Sequence, residues 1–226
     1  MPKISFCMPT RNRLEWIGES IQSLLTQTEE DIEIIIVNDA SDDGTREFLD
    51  EWASQFNRIK IIHNETKQGG GISRNIAMSH ATAPIIAICD DDDINPNERA
   101  ALILEHFAKN PKSELVNFPY LSIDYFNGKL EEFNGEPFNH EEFIKTGRPN
   151  YFCNPSVAVK KASLEEVGGY EKETDKETDD NQFLHKWVKA GKRVDFQPDF
   201  FCNYHRILPK SMMSGIRGFD PKWVSK

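Results

Sequence analysis

Short apolar segments alternate with amphipathic helical segments through the first half of the chain. Continuous apolar runs bounded by polar residues predict buried strands, and they lie at residues 3–8, 33–38, 59–63 and 85–89. In the intervals between these runs, apolar residues recur at helical spacing. Because parallel strands are joined by crossovers that usually contain a helix, the alternation predicts an α/β fold with a Rossmann-like, mainly parallel sheet flanked by helices.

The second half of the chain has a less regular pattern. Between residues 115 and 151, short strand-like segments are mixed with aromatic residues, which either build core or offer faces that stack on sugar rings. A further strand is predicted at residues 156–160, and an amphipathic helix is predicted to end at Gly191. This half therefore predicts a smaller mixed region beside the main sheet.

Composition restricts the classes of partner. Lys and Arg number 27 against 37 Asp and Glu, a formal net charge of -10, which argues against nucleic-acid binding because that depends on basic surface. The sequence contains no apolar stretch of membrane-spanning length and does not begin with a signal-peptide pattern. Its four cysteines form no CxxC pair. We expect a cytoplasmic protein with free thiols and no transmembrane segment, with peripheral contact at the inner face of the cell membrane left open.

Four consecutive aspartates, Asp90 to Asp93, directly follow the apolar run that ends at Cys89. Ligands of open α/β sheets bind at the carboxyl ends of the strands. Carboxylates this close repel one another unless a cation or hydrogen-bond donors offset their charge. Oxygen ligands suit a hard cation such as Mg²⁺ or Mn²⁺, which is usually shared with substrate phosphates. The run predicts a metal–phosphate site, and the alternative is a solvated acidic loop.

Two other motifs resemble ligand loops but lack their context. The segment from Asp39 to Asp50 has the spacing of a calcium loop, but a predicted strand precedes it where a calcium loop requires a helix. The glycine run Gly69 to Gly71 lacks the Gly-Lys-Ser/Thr of a Walker loop. We interpret the run, including Gly71, as room for the backbone beside a ligand, with Arg74 one helical turn further on to meet phosphate or ribose.

The polar segments, taken in order, resemble those of the family 2 glycosyltransferases. The stretches that carry the resemblance are PTRNR, VNDASDDGT, GGGISRNIA, CDDDD, SVAVKKASLEEVGGYE and TDDNQFLHKWVKAG. They extend over most of the chain and imply a GT-A fold and an inverting, metal-dependent transferase that uses a nucleotide-diphosphate sugar. We expect one domain over residues 1–226, with a donor half at 1–112, an acceptor half at 113–208 and a mobile tail or lid at 209–226.

The resemblance also implies roles for the residues that contact the nucleotide. Pro9, Thr10 and Arg11 would flank the base, and Asp39 would bind it, with the uracil N–H favoured as its partner. Arg74 would contact the phosphates or the ribose, and Asp90 would hydrogen-bond the ribose. A UDP-sugar is therefore the expected donor.

The remaining roles concern the metal and the proton. Asp92 would bind Mn²⁺ or Mg²⁺, but Asp91 stands where the family usually has a small residue, so Asp93 is an alternative ligand. His205 is a candidate metal or phosphate contact. The family has Glu-Asp at its acid–base motif, and this chain has Asp179-Asp180. Asp180 would be the catalytic base, and Asp179 would cap or orient the helix that these residues begin.

The expected acceptor is a hydroxyl of a glycan, of a lipid-linked sugar or of another acceptor in surface polysaccharide synthesis. Two alternatives from other classes remain. A sugar nucleotidyltransferase would need a glycine-rich basic loop after the first strand, and residues 9–13 contain arginines but no glycine. A noncatalytic nucleotide-sugar or polysaccharide-binding protein would not need Asp180.

Overall fold

The computed structural model describes residues 1–124, 127–172 and 178–207. Its strands are β1 (Ile4–Thr10), β2 (Ile32–Asp39), β3 (Ile59–Asn64), β4 (Ile85–Ile88), β5 (Leu115–Asn117), β6 (Tyr120–Asp124), β7 (Leu130–Phe133), β8 (Val157–Lys160), β9 (Asp195–Phe196) and β10 (Asn203–Ile207). Its α-helices are α1 (Ile17–Leu25), α2 (Thr45–Gln55), α3 (Gly70–Ser79), α4 (Arg99–Lys109), α5 (His140–Thr146), α6 (Lys161–Val167) and α7 (Asp179–Lys189). The predicted tail at 209–226 lies outside the described residues.

The main sheet has seven strands in the order β3-β2-β1-β4-β8-β5-β9. Strands β3, β2, β1 and β4 run parallel, and β8 runs antiparallel to both β4 and β5. The predicted α/β fold with a mainly parallel sheet is therefore confirmed. Since β5 and β8 pair beside β4, the less regular second half extends the same sheet.

Helices cover both faces of this sheet, as predicted. Phe6 packs with the helices α1, α2 and α4 on one face, and the adjacent Cys7 packs with α3, α6 and α7 on the other. This alternation follows from the two-residue period of a strand. Within the described ranges, no helix is both long and apolar enough to cross a membrane. All four cysteines are free thiols.

The first strand extends further than the apolar run predicted. Pro9 and Thr10, expected in a polar loop, pair in register with Val37 and Asn38 of β2. The pairing of β1 with β4 has already ended at Cys7. Strand β1 therefore has a single neighbour at Pro9, and a residue without an N–H is tolerated where the strand lies at an edge.

A smaller sheet, in the order β10-β6-β7, lies beside the aspartate run. Strand β10 is parallel to β6, and β7 is antiparallel to it. The backbones of Ile94 and Tyr204 exchange hydrogen bonds of 3.1 and 2.9 Å, which join β10 to the segment after β4. The smaller sheet thereby fixes the segment that carries the aspartates.

Helix α3 is attached to the segment that precedes α7 by an asparagine. The side chain of Asn75 donates to the carbonyl of Tyr170 and accepts from its N–H, both at 2.7 Å. A Cβ at Gly169 would lie 2.0 Å from Asn75 Oδ1, so this contact requires glycine at position 169.

We expect Gly169→Ala to lower the free energy of unfolding by about 1–3 kcal/mol, because the added methyl group displaces Asn75 from Tyr170. Urea unfolding of the single and double variants checks this. In an Asn75→Ala background the obstacle is gone, so Gly169→Ala should then cost less than about 0.5 kcal/mol. If Gly169→Ala lowers the free energy of unfolding equally in both backgrounds, Asn75 is not the group that the methyl displaces.

Candidate active site

The segments that follow the parallel strands meet at one edge of the sheet and are bonded to each other. Asn12 and Asp42 form a reciprocal pair, in which the Asn12 amide donates at 2.8 Å and the Asp42 N–H donates back at 3.0 Å. The Arg13 N–H donates to Thr45 Oγ1 at 3.2 Å. The polar segments that follow β1 and β2 therefore meet at this edge.

Asp39 holds the segment between β3 and α3. One carboxylate oxygen accepts from Asn64 Nδ2 and from the Gln68 N–H, and the other accepts from the Gly69 N–H, each at 2.8 Å. Burial raises the pKa of the Asp39 carboxyl, but these hydrogen bonds outweigh burial and hold the pKa below its usual range. A hydrogen bond from the Ser73 side chain lowers this pKa further, so donors from β3, from α3 and from the segment between them all hold the Asp39 carboxylate.

The guanidinium of Arg74 lies between two carboxylates from different parts of the chain. Its Nη2 is 2.9 Å from Asp90 Oδ1, and its Nη1 is 3.0 Å from Asp179 Oδ2. The group also lies 5.6 Å from the centre of the Tyr170 ring. Arg74 therefore connects the end of β4 with the first turn of α7.

The room that we expected beside Gly71 is filled by the protein itself. A Cβ at this position would lie 2.8 Å from Asp179 Oδ2 and 2.8 Å from the carbonyl oxygen of Glu171. At Gly71 the expectation of open space for a ligand is wrong, because the small residue allows α7 and the segment before it to approach α3, whereas a Cβ at Gly69 would meet nothing within 4 Å. Gly71 thus brings Asp179 within reach of Arg74.

The four aspartates of the run have different surroundings. Asp90 contacts Arg74, and Asp91 lies 3.5 Å from Arg13 Nε. Asp92 is 7% exposed, and its ionic neighbour within the described part of the chain is Arg13 Nη2 at 3.7 Å. Burial raises the pKa of the Asp92 carboxyl, and the neighbouring aspartates raise it further. Asp92 therefore carries the charge that is offset least by its neighbours.

Asp93 is bound to strand β10. It accepts hydrogen bonds from the Asn203 side chain and from the Arg206 N–H, and His205 Nδ1 lies 2.9 Å from its Oδ1. Burial lowers the pKa of His205, but Asp93 outweighs burial and raises it; in turn His205 helps to lower the pKa of Asp93. The carboxylate of Asp93 is thus already bound by other groups of the protein, whereas the carboxylate of Asp92 is bound less completely.

Two buried arginines hold this segment in place. Arg206 is fully buried and donates to the Asp92 carbonyl, to Glu19 and to Ser20. Arg99 is also fully buried and donates to the carbonyls of Ile88 and Pro155 at 2.7 and 2.8 Å.

Asp179 and Asp180 occupy the first turn of α7 but point to different partners. Asp179 faces Arg74, and burial followed by the charge of Asp180 raises its pKa against the opposing effect of Arg74. Asp180 is half-buried and accepts from the Thr178 hydroxyl and from the Asn181 N–H, the latter at 2.8 Å. The preceding Glu177 lies outside the described residues.

The donor set at the aspartates fits a divalent cation. Within residues 1–124, 127–172 and 178–207, no three His, Cys, Asp or Glu side chains converge on a point that could hold a metal ion. Mg²⁺ and its analogues commonly take only one or two protein carboxylates and complete their shell with phosphate oxygens and water. The hard oxygens and incompletely offset charge of Asp92 meet this requirement.

Solved structures identify the fold as GT-A. TarS 1-349 of S. aureus in complex with UDP-GlcNAc matches with a TM-score of 0.74 and 22% identity, over 94% of this chain and 60% of that chain. Mannosyltransferase PcManGT from Pyrobaculum calidifontis, in complex with GDP-Man and Mn²⁺, matches with a TM-score of 0.71 and 22% identity, over 96% and 60%.

The chain belongs to glycosyl transferase family 2, whose family model matches residues 5–168. It is 26% identical to glycosyltransferase GlyG of Streptococcus pneumoniae over 98% of this chain and 75% of GlyG. It is 30% identical to an uncharacterised glycosyltransferase of Methanocaldococcus jannaschii over 96% of this chain and 75% of that protein. The expected family is confirmed, and the chain spans 60% of the length of the two solved structures.

We expect substitutions of Asp92 and Asp93 to have different effects on the free energy of unfolding of the metal-free protein at neutral pH. Asp93→Asn should lower the free energy of unfolding by about 3 kcal/mol, because it breaks a buried ion pair. Asp92→Asn should leave stability within about 0.5 kcal/mol of the unmodified protein or raise it, because it removes like-charge repulsion. Urea unfolding in the presence of a chelator checks both, and a larger loss for Asp92→Asn would be inconsistent with these environments.

Proposed function

We propose that this chain is an inverting glycosyltransferase that moves a sugar from a UDP-sugar to a hydroxyl of a glycan, of a lipid-linked sugar or of another acceptor in surface polysaccharide synthesis. The observation that carries the proposal is Arg74, which brings Asp90 at the donor edge against the helix that begins with Asp179 and Asp180. Family membership supports a transferase over the nucleotidyltransferase and binding-protein alternatives.

The nucleotide is proposed to lie between the ends of β1 and β3. Pro9 is half-buried, Thr10 is buried at the end of β1, and Arg11 is exposed. These residues would flank the base, and the carboxylate of Asp39 would accept from a base N–H. Uracil offers one such donor, so UDP is the proposed nucleotide. Arg74 and Asp90 would contact the phosphates and the ribose.

Asp92 is the proposed metal ligand, since Asp93 is already bound by Asn203, His205 and Arg206. A bound Mn²⁺ or Mg²⁺ supplies a Lewis acid for the negative charge that grows on the departing diphosphate. The second nitrogen of His205 is a proposed additional contact to the metal or to a phosphate, because Asp93 orients the ring through Nδ1.

Asp180 is the proposed base. It lies in the first turn of α7, which Arg74 holds against the donor edge through Asp179. It would accept the proton of the acceptor hydroxyl as that oxygen attacks the anomeric carbon, and the bond to the diphosphate breaks on the opposite side. One displacement of this kind inverts the anomeric configuration. Asp179 orients the helix through its ion pair.

The proposal is tested by following a panel of UDP-, GDP- and dTDP-sugars by NMR with the unmodified protein, with Mn²⁺ and with a chelator. We expect metal-dependent consumption of a UDP-sugar and release of UDP, with slow hydrolysis when no acceptor is added. If none of these donors binds or is consumed in the presence of metal, the proposed function is wrong.

Asp39→Asn should weaken UDP binding by roughly tenfold, because the amide introduced at position 39 presents a donor where the base also presents a donor. Calorimetry with UDP and GDP measures the affinity and the preference between bases. Asp31→Asn is the control, since it removes the same charge from an exposed pair with Lys3. Tighter binding of GDP than UDP by the unmodified protein would overturn the proposal that uracil is the nucleotide base bound by Asp39.

Asp180→Asn should bind the donor normally and lose roughly 10²–10⁴-fold in turnover, the usual effect of removing a positioned base. Asp179→Asn serves as the comparison, and its loss in turnover should be smaller because the residue orients the helix. Turnover and product configuration are measured by NMR. Near-normal turnover of Asp180→Asn, or a product that retains the donor configuration, would exclude this mechanism.

A further inference from the structure

A chain of hydrogen bonds runs from the middle of α2 to the residues after β1. His63 Nε2 lies 2.9 Å from Asp50 Oδ1, and His63 Nδ1 lies 3.1 Å from Asn38 Nδ2. Asn38 Oδ1 accepts from the N–H and the hydroxyl of Ser41. Ser41 Oγ then accepts from the Asn12 N–H at 3.0 Å.

One arrangement of protons satisfies every member of this chain. The two Ser41 donors require the oxygen of the Asn38 amide to face Ser41, so its NH₂ group faces His63. His63 Nδ1 must therefore be the acceptor, and Nε2 carries the hydrogen that is donated to Asp50. A change at His63 is thus transmitted to the orientation of the Asn38 amide and from there to Ser41.

Because of the register of β2 and β3, these hydrogen bonds and the proposed nucleotide contacts lie on opposite faces of the sheet. Asn38 is paired with His63, and the next pair is Asp39 with Asn64. Because successive side chains of a strand point to opposite faces, Asp39 and Asn64 meet on the side of α3, and His63 meets Asp50 on the side of α2. His63 therefore acts on the other face of the same two strand ends.

At the end of this series of hydrogen bonds away from Asp50, the backbone has an uncommon conformation. Asn12 has a φ of 54°, and Ala40, between Asn38 and Ser41, has a φ of 55°. A residue with a side chain persists in this region only where its surroundings fix it. Ser41 bonds both to Asn12 and to Asn38, so it connects these two positions.

We propose that His63 is a positioning residue for the nucleotide base, which it does not touch. Through Asn38 and Ser41 it fixes the backbone beside Asp39 and the segment after Thr10, the two proposed neighbours of the base. This inference rests on the proposed function. Loss of His63 should weaken nucleotide binding in the ground state and the transition state equally, and so raise KM without lowering kcat.

The test compares UDP affinity by calorimetry, and KM and kcat for the donor, across four variants and the unmodified protein. His63→Ala should raise Kd and KM roughly fivefold, the effect of one lost hydrogen bond, with kcat within twofold. His63→Gln should restore both to within about twofold, because its amide can accept from Asn38 and donate to Asp50. Ser41→Ala should raise Kd similarly while leaving the contact between His63 and Asp50 in place.

His80→Ala is the matched control. His80 is a half-buried histidine whose Nδ1 contacts the Ile76 carbonyl at 2.9 Å, and it should bind UDP like the unmodified protein. An unchanged Kd in folded His63→Ala, a glutamine variant no better than alanine, or a fall in kcat alone would each overturn the inference. If His63→Ala does not fold, unchanged affinity in Ser41→Ala overturns it. Failure of the unmodified protein to bind any nucleotide would instead refute the proposed function, and the inference with it.

Discussion

The ion pairs of Arg74 join two parts of the site that are far apart in the sequence. Its two terminal nitrogens bind Asp90, just beyond β4, and Asp179, the first residue of α7, which are 89 positions apart in the sequence. A guanidinium between two carboxylates in a partly buried site has its charge offset on both sides, and each carboxylate is offset in turn. Arg74 therefore fixes the first turn of α7 against the donor edge, in addition to the apolar packing of that helix.

One face of α3 carries the residues that hold α7 and the segment before it. Gly71, Arg74 and Asn75 have the i, i+3 and i+4 spacing that places side chains on one side of a helix. Gly71 allows Asp179 to approach, Arg74 binds it, and Asn75 holds the backbone of Tyr170. On another side, Ser73 accepts from Asn64, a partner of Asp39. Helix α3 thus connects the proposed binding site of the nucleotide base with α7, which carries the proposed catalytic base.

Much of this arrangement follows from the sequence, because its signals are local. Apolar runs and helical periodicity identify the parallel strands and their crossovers, and chain direction alone places the polar segments at one edge. Contacts between distant segments give no such signal. Arg206 reaches the Asp92 carbonyl from the last described strand, and Gly71 has protein where a ligand was expected. The sugar, the acceptor and the metal ligands depend on contacts of this second kind.

Hydrogen exchange at the start of α7 tests most directly whether Arg74 holds the two parts of the site together. Arg74→Met keeps much of the volume and removes both ion pairs. We expect faster exchange at the amides of Gln182 and Phe183, in the first hydrogen-bonded turn of α7, with protection in β1 unchanged relative to the unmodified protein. Equal protection of these helix amides in the two proteins would contradict this role for Arg74.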